Sequence, residues 1–172
     1  MIPTNHYVGL LYRALNPVHA RDPLSGRGAE LHGGRFNPKG VTALYASRSP
    51  MTALREANQV GTLQPTTLVA YRADIRPIFD TRETAAFAAF DVTPSDLGAN
   101  TWRDEMITAG ESRTQKFARR LIAEGYAGLL VRSFARGSSG NAVNLVLWRW
   151  TDKLPTQLVL VDDDNRLAGE PS

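Results

Sequence analysis

Cysteine is absent from all 172 residues, which removes disulfide cross-links and thiolate chemistry from consideration. Histidine is scarce: His6, His19 and His32 are the only imidazoles, none stands at ligand spacing from another, and no metal is expected. No apolar run approaches the roughly 20 residues that cross a bilayer. The opening MIPTNHYVGLLYR lacks the basic segment that precedes the apolar stretch of a secretory signal. A cytoplasmic protein without membrane contact is therefore expected. Blocks of like charge are missing too, although the net charge is +3 and the isoelectric point is near 9.5. A mildly basic solvated surface accounts for that balance, and an arginine-lined cleft for an anionic small molecule is compatible with it.

Several short motifs are also missing. A P-loop needs G-x-x-x-x-G-K-[ST], a dinucleotide fingerprint needs G-x-G-x-x-G, and a nucleophile elbow needs G-x-S-x-G; none occurs. No recognition-helix pattern and no aromatic-plus-basic platform is present, so direct nucleic-acid binding is not expected.

What remains reads as one domain over residues 1–172, with a core at 7–161 and a polar, frayed tail from Asp162. Residues 8–15 (VGLLYRAL) form a first strand, followed by a polar loop through Gly40. Residues 41–47 (VTALYAS) form a nearly all-apolar strand. Ser49-Pro50 then opens a helix, with serine as N-cap and proline at the first helical position, running to Gly61. A strand over 66–75 is stopped by Arg76-Pro77, and helical stretches follow at 84–90 and 101–109. Ser112-x-x-Gln115 is a capping box that opens a helix with an apolar face of Phe117, Ala118, Leu121 and Ile122, ended by Gly125. Strands at 127–133, 142–150 and 157–161 complete the chain. Helices and strands mix without regular alternation, which predicts an α+β fold.

Four polar residues break the local pattern, and such breaks mark function or strain. Arg13 shares a strand face with Leu11 and Leu15, where a guanidinium needs an anion, a carboxylate or a ring of carbonyls. Glu56 lies on the helical stripe Ala53, Glu56, Ala57 and Val60, turned about 100° from Arg55. An ion pair at the stripe's edge and a catalytic carboxylate both fit it. Tyr45 sits on the apolar strand before that helix, as core or as site. Ser133 ends the strand AGLLVRS on the face of Leu129 and Val131. A fifth feature is HGGRFNPKG, from His32 to Gly40: either a plain connection or an anion nest with Arg35 as bidentate phosphate ligand.

Taken together these blocks resemble the RES-domain toxins of bacterial toxin–antitoxin pairs. "LYRAL" supplies the arginine-bearing strand with Arg13, "GGRFNPKG" the glycine-rich segment with Arg35, and "LYASRSPMTALREA" the strand and helix with Tyr45 and Glu56. "GLLVRSFARGSSGNAVNLVLW" supplies a strand ending in Ser133 and a second strand with Asn144, although Arg132 stands where many members have proline. Ser138 and Ser139 are alternatives to Ser133. Residues 82–110 match nothing in the pattern beyond a tryptophan, Trp102.

The resemblance implies an ADP-ribosyltransferase-like fold, a split mixed β-sheet with flanking helices and a cleft for NAD⁺. It implies an enzyme that breaks the nicotinamide–ribose bond and passes the ADP-ribosyl group to phosphate, water or a protein. NAD⁺ would be substrate, with inorganic phosphate as co-substrate and no resident cofactor. Arg13 and Arg35 would hold the pyrophosphate, with further dinucleotide contacts from Gly34, Asn37 and Asn144. Tyr45 would stack on the nicotinamide or ribose, Glu56 would stabilise the developing cation, and Ser133 would orient the nicotinamide end. The implied partner is an Xre-type helix-turn-helix antitoxin that covers the active site; a homo-oligomer is left open. A non-catalytic nucleotide-binding module is the competing class, but it has no use for Glu56 beside an anion site.

Overall fold

The computed structural model describes residues 5–59 and 61–168. The strands are β1 (Asn5–Leu15), β2 (Leu44–Ser47), β3 (Thr67–Asp80), β4 (Gly128–Arg132), β5 (Val143–Leu147) and β6 (Thr156–Leu160). The helices are α1 (Arg27–His32), α2 (Pro50–Ala57), α3 (Pro94–Leu97), α4 (Trp102–Ala109) and α5 (Arg113–Ala123). The sheet order is β1-β2-β5-β4-β3-β6, and β1 also pairs with β3, so the sheet curls back on itself. Among the described strands only β3 and β4 pair in parallel. The fold is α+β, a mixed sheet with flanking helices, as the sequence predicts. The split lies within β3, which pairs with β6 over Tyr71–Ile75 and with β4 over Ile78–Asp80.

Two expectations fail at turns. Pro77 does not stop β3. It falls where the register against β1 slips between Tyr7↔Ile75 and Asn5↔Ile78, a bulge at which a missing N–H costs no ladder bond. The predicted loop before Gly40 contains α1, whose C-terminal Gly33 adopts φ 72° and donates its N–H to Ala29 O at 2.8 Å. Other differences are of extent. β2 begins at Leu44, and the stretch at 84–90 is a 3₁₀ helix, Thr84–Ala89. α2 stops at Ala57 because Asn58 turns both its N–H (3.1 Å) and its side-chain amide (2.8 Å) back onto Leu54 O. Val60, expected on the α2 stripe, lies outside the described residues. The tail is ordered through a 3₁₀ turn at Arg166–Ala168, where the Asp162 carboxylate accepts from the N–H groups of Arg166 and Leu167. Both predicted caps are in place: Ser49 Oγ accepts from Thr52 N at 3.1 Å, and Ser112 with Gln115 forms the reciprocal box that opens α5.

The sheet separates two cores. One joins Leu11, Tyr71, Ile75, Leu145, Leu147 and their neighbours within the curl. The other packs α5 against the opposite face through Phe79, Phe117, Leu121, Leu129 and Val146. Phe79 meets Phe87, Phe90, Phe117 and Tyr126 edge-on at 5.4–5.9 Å. Strand alternation therefore sends Leu44, Ala46, Val143 and Leu145 to the first core, and Tyr45 and Val146 to the second. The register pairs Ser47 and Val131 with Asn144 on the second face, and the candidate site forms there. No described helix is long and apolar enough to cross a membrane.

Candidate active site

Glu56 reaches from α2 across the ends of β2, β5 and β4. Its Oε1 accepts from Asn144 Nδ2 at 2.6 Å and from Ser133 Oγ, while Oε2 accepts from Gln59 Nε2 at 2.7 Å. Asn144 is itself fixed by Ser47, whose hydroxyl donates to Asn144 Oδ1 at 2.6 Å. Three donors meet a half-buried carboxylate, so its orientation is set by the fold. Ser133 is thereby singled out from its alternatives: Ser138 lies one bond further out, 2.9 Å from Ser133 Oγ. Ser133 is buried, and its hydroxyl holds Glu56.

Arg35 stands across a cleft of about 410 Å³ whose walls include Gly34, Tyr45, Glu56, Trp102, Phe134 and Asn144. Its Nη1 donates to Leu97 O (3.1 Å) and Ala99 O (2.7 Å), and its guanidinium lies 5.5 Å from the Phe134 ring centre and 6.0 Å from that of Trp102. Burial lowers the Arg35 pKa from its ordinary value, Glu56 draws it back up, and Arg103 pushes it down. Arg103 and Arg132 also border this cleft, Arg103 with its guanidinium 4.7 Å from the Trp102 ring centre. The wall built from 97–103 carries no signal in the sequence beyond Trp102.

The glycine-rich turn is braced from inside. Gly34 and Asn37 pair through both backbone bonds, 2.9 and 3.3 Å, and the Phe36 N–H donates to the Tyr45 hydroxyl at 3.1 Å. Gly40 N donates to Glu30 O. These amides are spent within the protein, so the predicted anion nest does not form, and the turn offers its Arg35 side chain. Asn37, expected to touch NAD⁺, is instead 0% exposed: its amide donates to Ala29 O and Val41 O, and its Oδ1 accepts from Tyr45 at 2.6 Å. Tyr45 presents its ring to the cleft while its hydroxyl is tied to Asn37. Burial raises that phenol's pKa above the ordinary value, against the opposing pull of the Phe36 N–H and Arg35. Gly34 lines the cleft, but its small size is required behind it, since a Cβ there would stand 2.5 Å from both the Tyr45 hydroxyl and Asn37 Oδ1. Gln115, read only as a cap, reaches Gly34 O (2.9 Å) and Asn37 O (3.2 Å), and Trp148 Nε1 donates to Phe36 O (2.9 Å).

Arg13 departs most from expectation. Its Nη1 donates to Pro23 O (3.2 Å) and Ser25 O (3.1 Å), the carbonyl alternative for a guanidinium between leucines, and it does not line the Arg35 cleft. It borders a smaller hollow of about 200 Å³ beyond Glu56. A further depression of about 420 Å³, between α4 and α5, contains none of the residues nominated from sequence.

The RES domain family model matches residues 10–168. Among solved structures, the M. tuberculosis MbcT-MbcA toxin-antitoxin complex contains a similar chain: TM-score 0.62, 22% identity, 91% of this chain and 83% of that one covered. That likeness is one of fold. No curated protein matches. The family match spans the blocks that gather at Glu56, from the Arg35 turn to the Asn144 strand, and by it this chain belongs to the RES domain family.

Proposed function

We propose that this chain is the toxin of a bacterial toxin–antitoxin pair and that it consumes NAD⁺ by cleaving the nicotinamide–ribose bond. The observation that carries the reading is the Glu56 carboxylate, held by Ser133, Asn144 and Gln59 in a cleft whose other charged groups are arginines. The C–N bond breaks with its electron pair passing to the pyridine nitrogen, so nicotinamide leaves neutral and needs no proton. The ribosyl carbon becomes cationic, as in glycoside hydrolysis, and a preoriented carboxylate stabilises it. An oxygen of phosphate, water or a protein side chain then bonds to that carbon, and the acceptor's proton passes to solvent with Glu56 as relay. Arg35, with Arg103 and Arg132, grips the pyrophosphate; this replaces the Arg13–Arg35 pair expected from sequence. Tyr45 and Phe134 offer ring faces to the substrate.

The partner would be an antitoxin of Xre helix-turn-helix type that closes the cleft. The experiment is incubation of the purified chain with NAD⁺, with and without phosphate or candidate acceptor proteins, followed by mass analysis of products. Release of nicotinamide is expected, with ADP-ribose 1″-phosphate formed only when phosphate is present if phosphate is the acceptor. Glu56→Gln is expected to reduce turnover at least a hundredfold, on the scale of losing one transition-state charge contact, roughly 3 kcal/mol. NAD⁺ left intact under every condition would remove the enzymatic reading, and binding without cleavage would favour a nucleotide-binding module.

A further inference from the structure

β1 meets β2 only through Tyr12↔Ser47, while its first residues stay paired to β3 as far as Asn5↔Ile78. A gap is left between the start of β1 and the ends of β2, β3 and β4, at one mouth of the curled sheet. It holds a hollow of about 350 Å³ that shares no lining residue with the Arg35 cleft. That volume is above the roughly 300 Å³ at which pockets for small molecules begin, and the mouth of a closed sheet is a usual place for one.

The lining combines an apolar wall with one uncompensated charge. Ile78 and Leu130 are buried beneath it, whereas Val8, beside them, is left 64% exposed. The polar groups are mostly committed. His6 Nε2 is bonded to Asp74 at 2.6 Å, and Asn5 Nδ2 donates to Glu83 at 3.2 Å. The Asp80 carboxylate is taken by Arg82 through Nε, Nη2 and the backbone N–H, which leaves Arg82 Nη1 unspent among the described residues. Arg48 has no such partner: among the described residues no carboxylate stands within ion-pairing distance of it. With Asp80 offsetting Arg82, one positive charge remains in the hollow, on Arg48. A single negative charge balances it, while a dianion would also face the Asp80 carboxylate.

We infer that this mouth is a second binding site, separate from the NAD⁺ cleft, for a small carboxylate with a compact apolar body. The carboxylate bonds to the Arg48 guanidinium and to Arg82 Nη1, and the apolar body covers Val8 above Ile78 and Leu130. Arg48 also follows Ser47, whose hydroxyl fixes Asn144 and through it Glu56, so the occupant lies one residue from the brace of that carboxylate.

Benzoate is the probe, titrated into the full chain with binding read from backbone amide resonances. Acetate supplies the charge without the body, benzyl alcohol the body without the charge, and phenyl phosphate the dianion. Benzoate is expected to move the amides of Val8, Arg48 and Arg82 saturably, and to keep doing so when ADP-ribose is present. Arg48→Gln should weaken benzoate by about tenfold or more, as the loss of a charged hydrogen-bonding partner implies, and Arg48→Lys should restore part of it. Acetate and benzyl alcohol should each bind several times more weakly than benzoate. Arg48 is exposed and unpaired, so both variants should melt with wild type. Benzoate shifts confined to Gly34, Trp102 and Asn144, loss of binding when ADP-ribose is added, or unchanged affinity in Arg48→Gln overturns the assignment. Acetate binding as tightly as benzoate removes the apolar wall from it, and tighter binding of phenyl phosphate replaces the carboxylate with a phosphate ester; either result refutes the ligand class stated here.

Discussion

At the scale of single residues, the polar positions that broke the apolar pattern divide into those that face the cleft and those that build it. Glu56 and Arg35 face it. Tyr45 does both, since its ring is wall and its hydroxyl is brace. The sequence could place Glu56 on an inward stripe because helical spacing is local. It could not show that Asn37 is fully buried or that the Tyr45 hydroxyl is spent on it, because these two residues meet only when the turn folds onto β2. Tyr45→Phe is therefore expected to destabilise the protein by about 1–3 kcal/mol, the cost of a buried acceptor left without a donor. Gly34→Ala should cost a similar amount through overpacking, about 1–3 kcal/mol, because its methyl would stand 2.5 Å from Asn37 Oδ1 and the Tyr45 hydroxyl. Urea unfolding measures both, and wild-type stability in either variant would contradict the bracing described here.

At the scale of elements, caps and strand alternation were readable and partner choice was not. Ser49, Ser112 and Gln115 signalled their helix starts because capping depends on residues within one turn. Pro77 misled because a proline inside a bulge looks, in sequence, like a proline that ends a strand. The way 97–103 holds Arg35 is illegible for a different reason: the contacts are backbone carbonyls, those of Leu97 and Ala99, and carbonyls leave no trace in side-chain identity. Gln115 links α5 to the Arg35 turn, and two substitutions separate its roles. Gln115→Glu keeps an acceptor for Ser112 N but sets an oxygen against the carbonyls of Gly34 and Asn37. If the clamp matters, Gln115→Glu and Gln115→Ala should each lose about 2 kcal/mol. If only the cap matters, Gln115→Glu should melt with wild type.

At the scale of the whole molecule, the fold class and the family blocks were legible, while the closure of the sheet was not. β1 pairs with β3 along most of its length and touches β2 once, and no local signal specifies that arrangement. The end of β3 adds a pH dependence. Asp80 is 9% exposed and receives Arg82 through Nε (2.9 Å), Nη2 (2.6 Å) and the backbone N–H (2.9 Å). Burial alone would raise its pKa, but the hydrogen bonds of Arg82 and the charges of Arg82 and Arg48 bring it below the ordinary value. A carboxylate lowered on folding stabilises the native state above its unfolded pKa, about 3.9, and that contribution is lost as the pH falls through the folded value. Asp80→Asn should accordingly melt below wild type at pH 7, by about 1 kcal/mol because half of Arg82 is solvated, and the gap should close in acid. Melting curves from pH 7 to pH 2 measure it; a gap that holds constant would refute it.

The two oxygens of Glu56 are unequal, and that asymmetry fixes a direction of travel. Oε1 is anchored to the strands by Ser133 and Asn144, whereas among the described residues Oε2 accepts a hydrogen bond only from Gln59, an exposed side chain one turn along the chain. Any molecule that comes to use this carboxylate displaces a solvated amide and leaves the strand anchors in place. Approach is thus cheapest from the Gln59 side, the side of the Arg35 cleft.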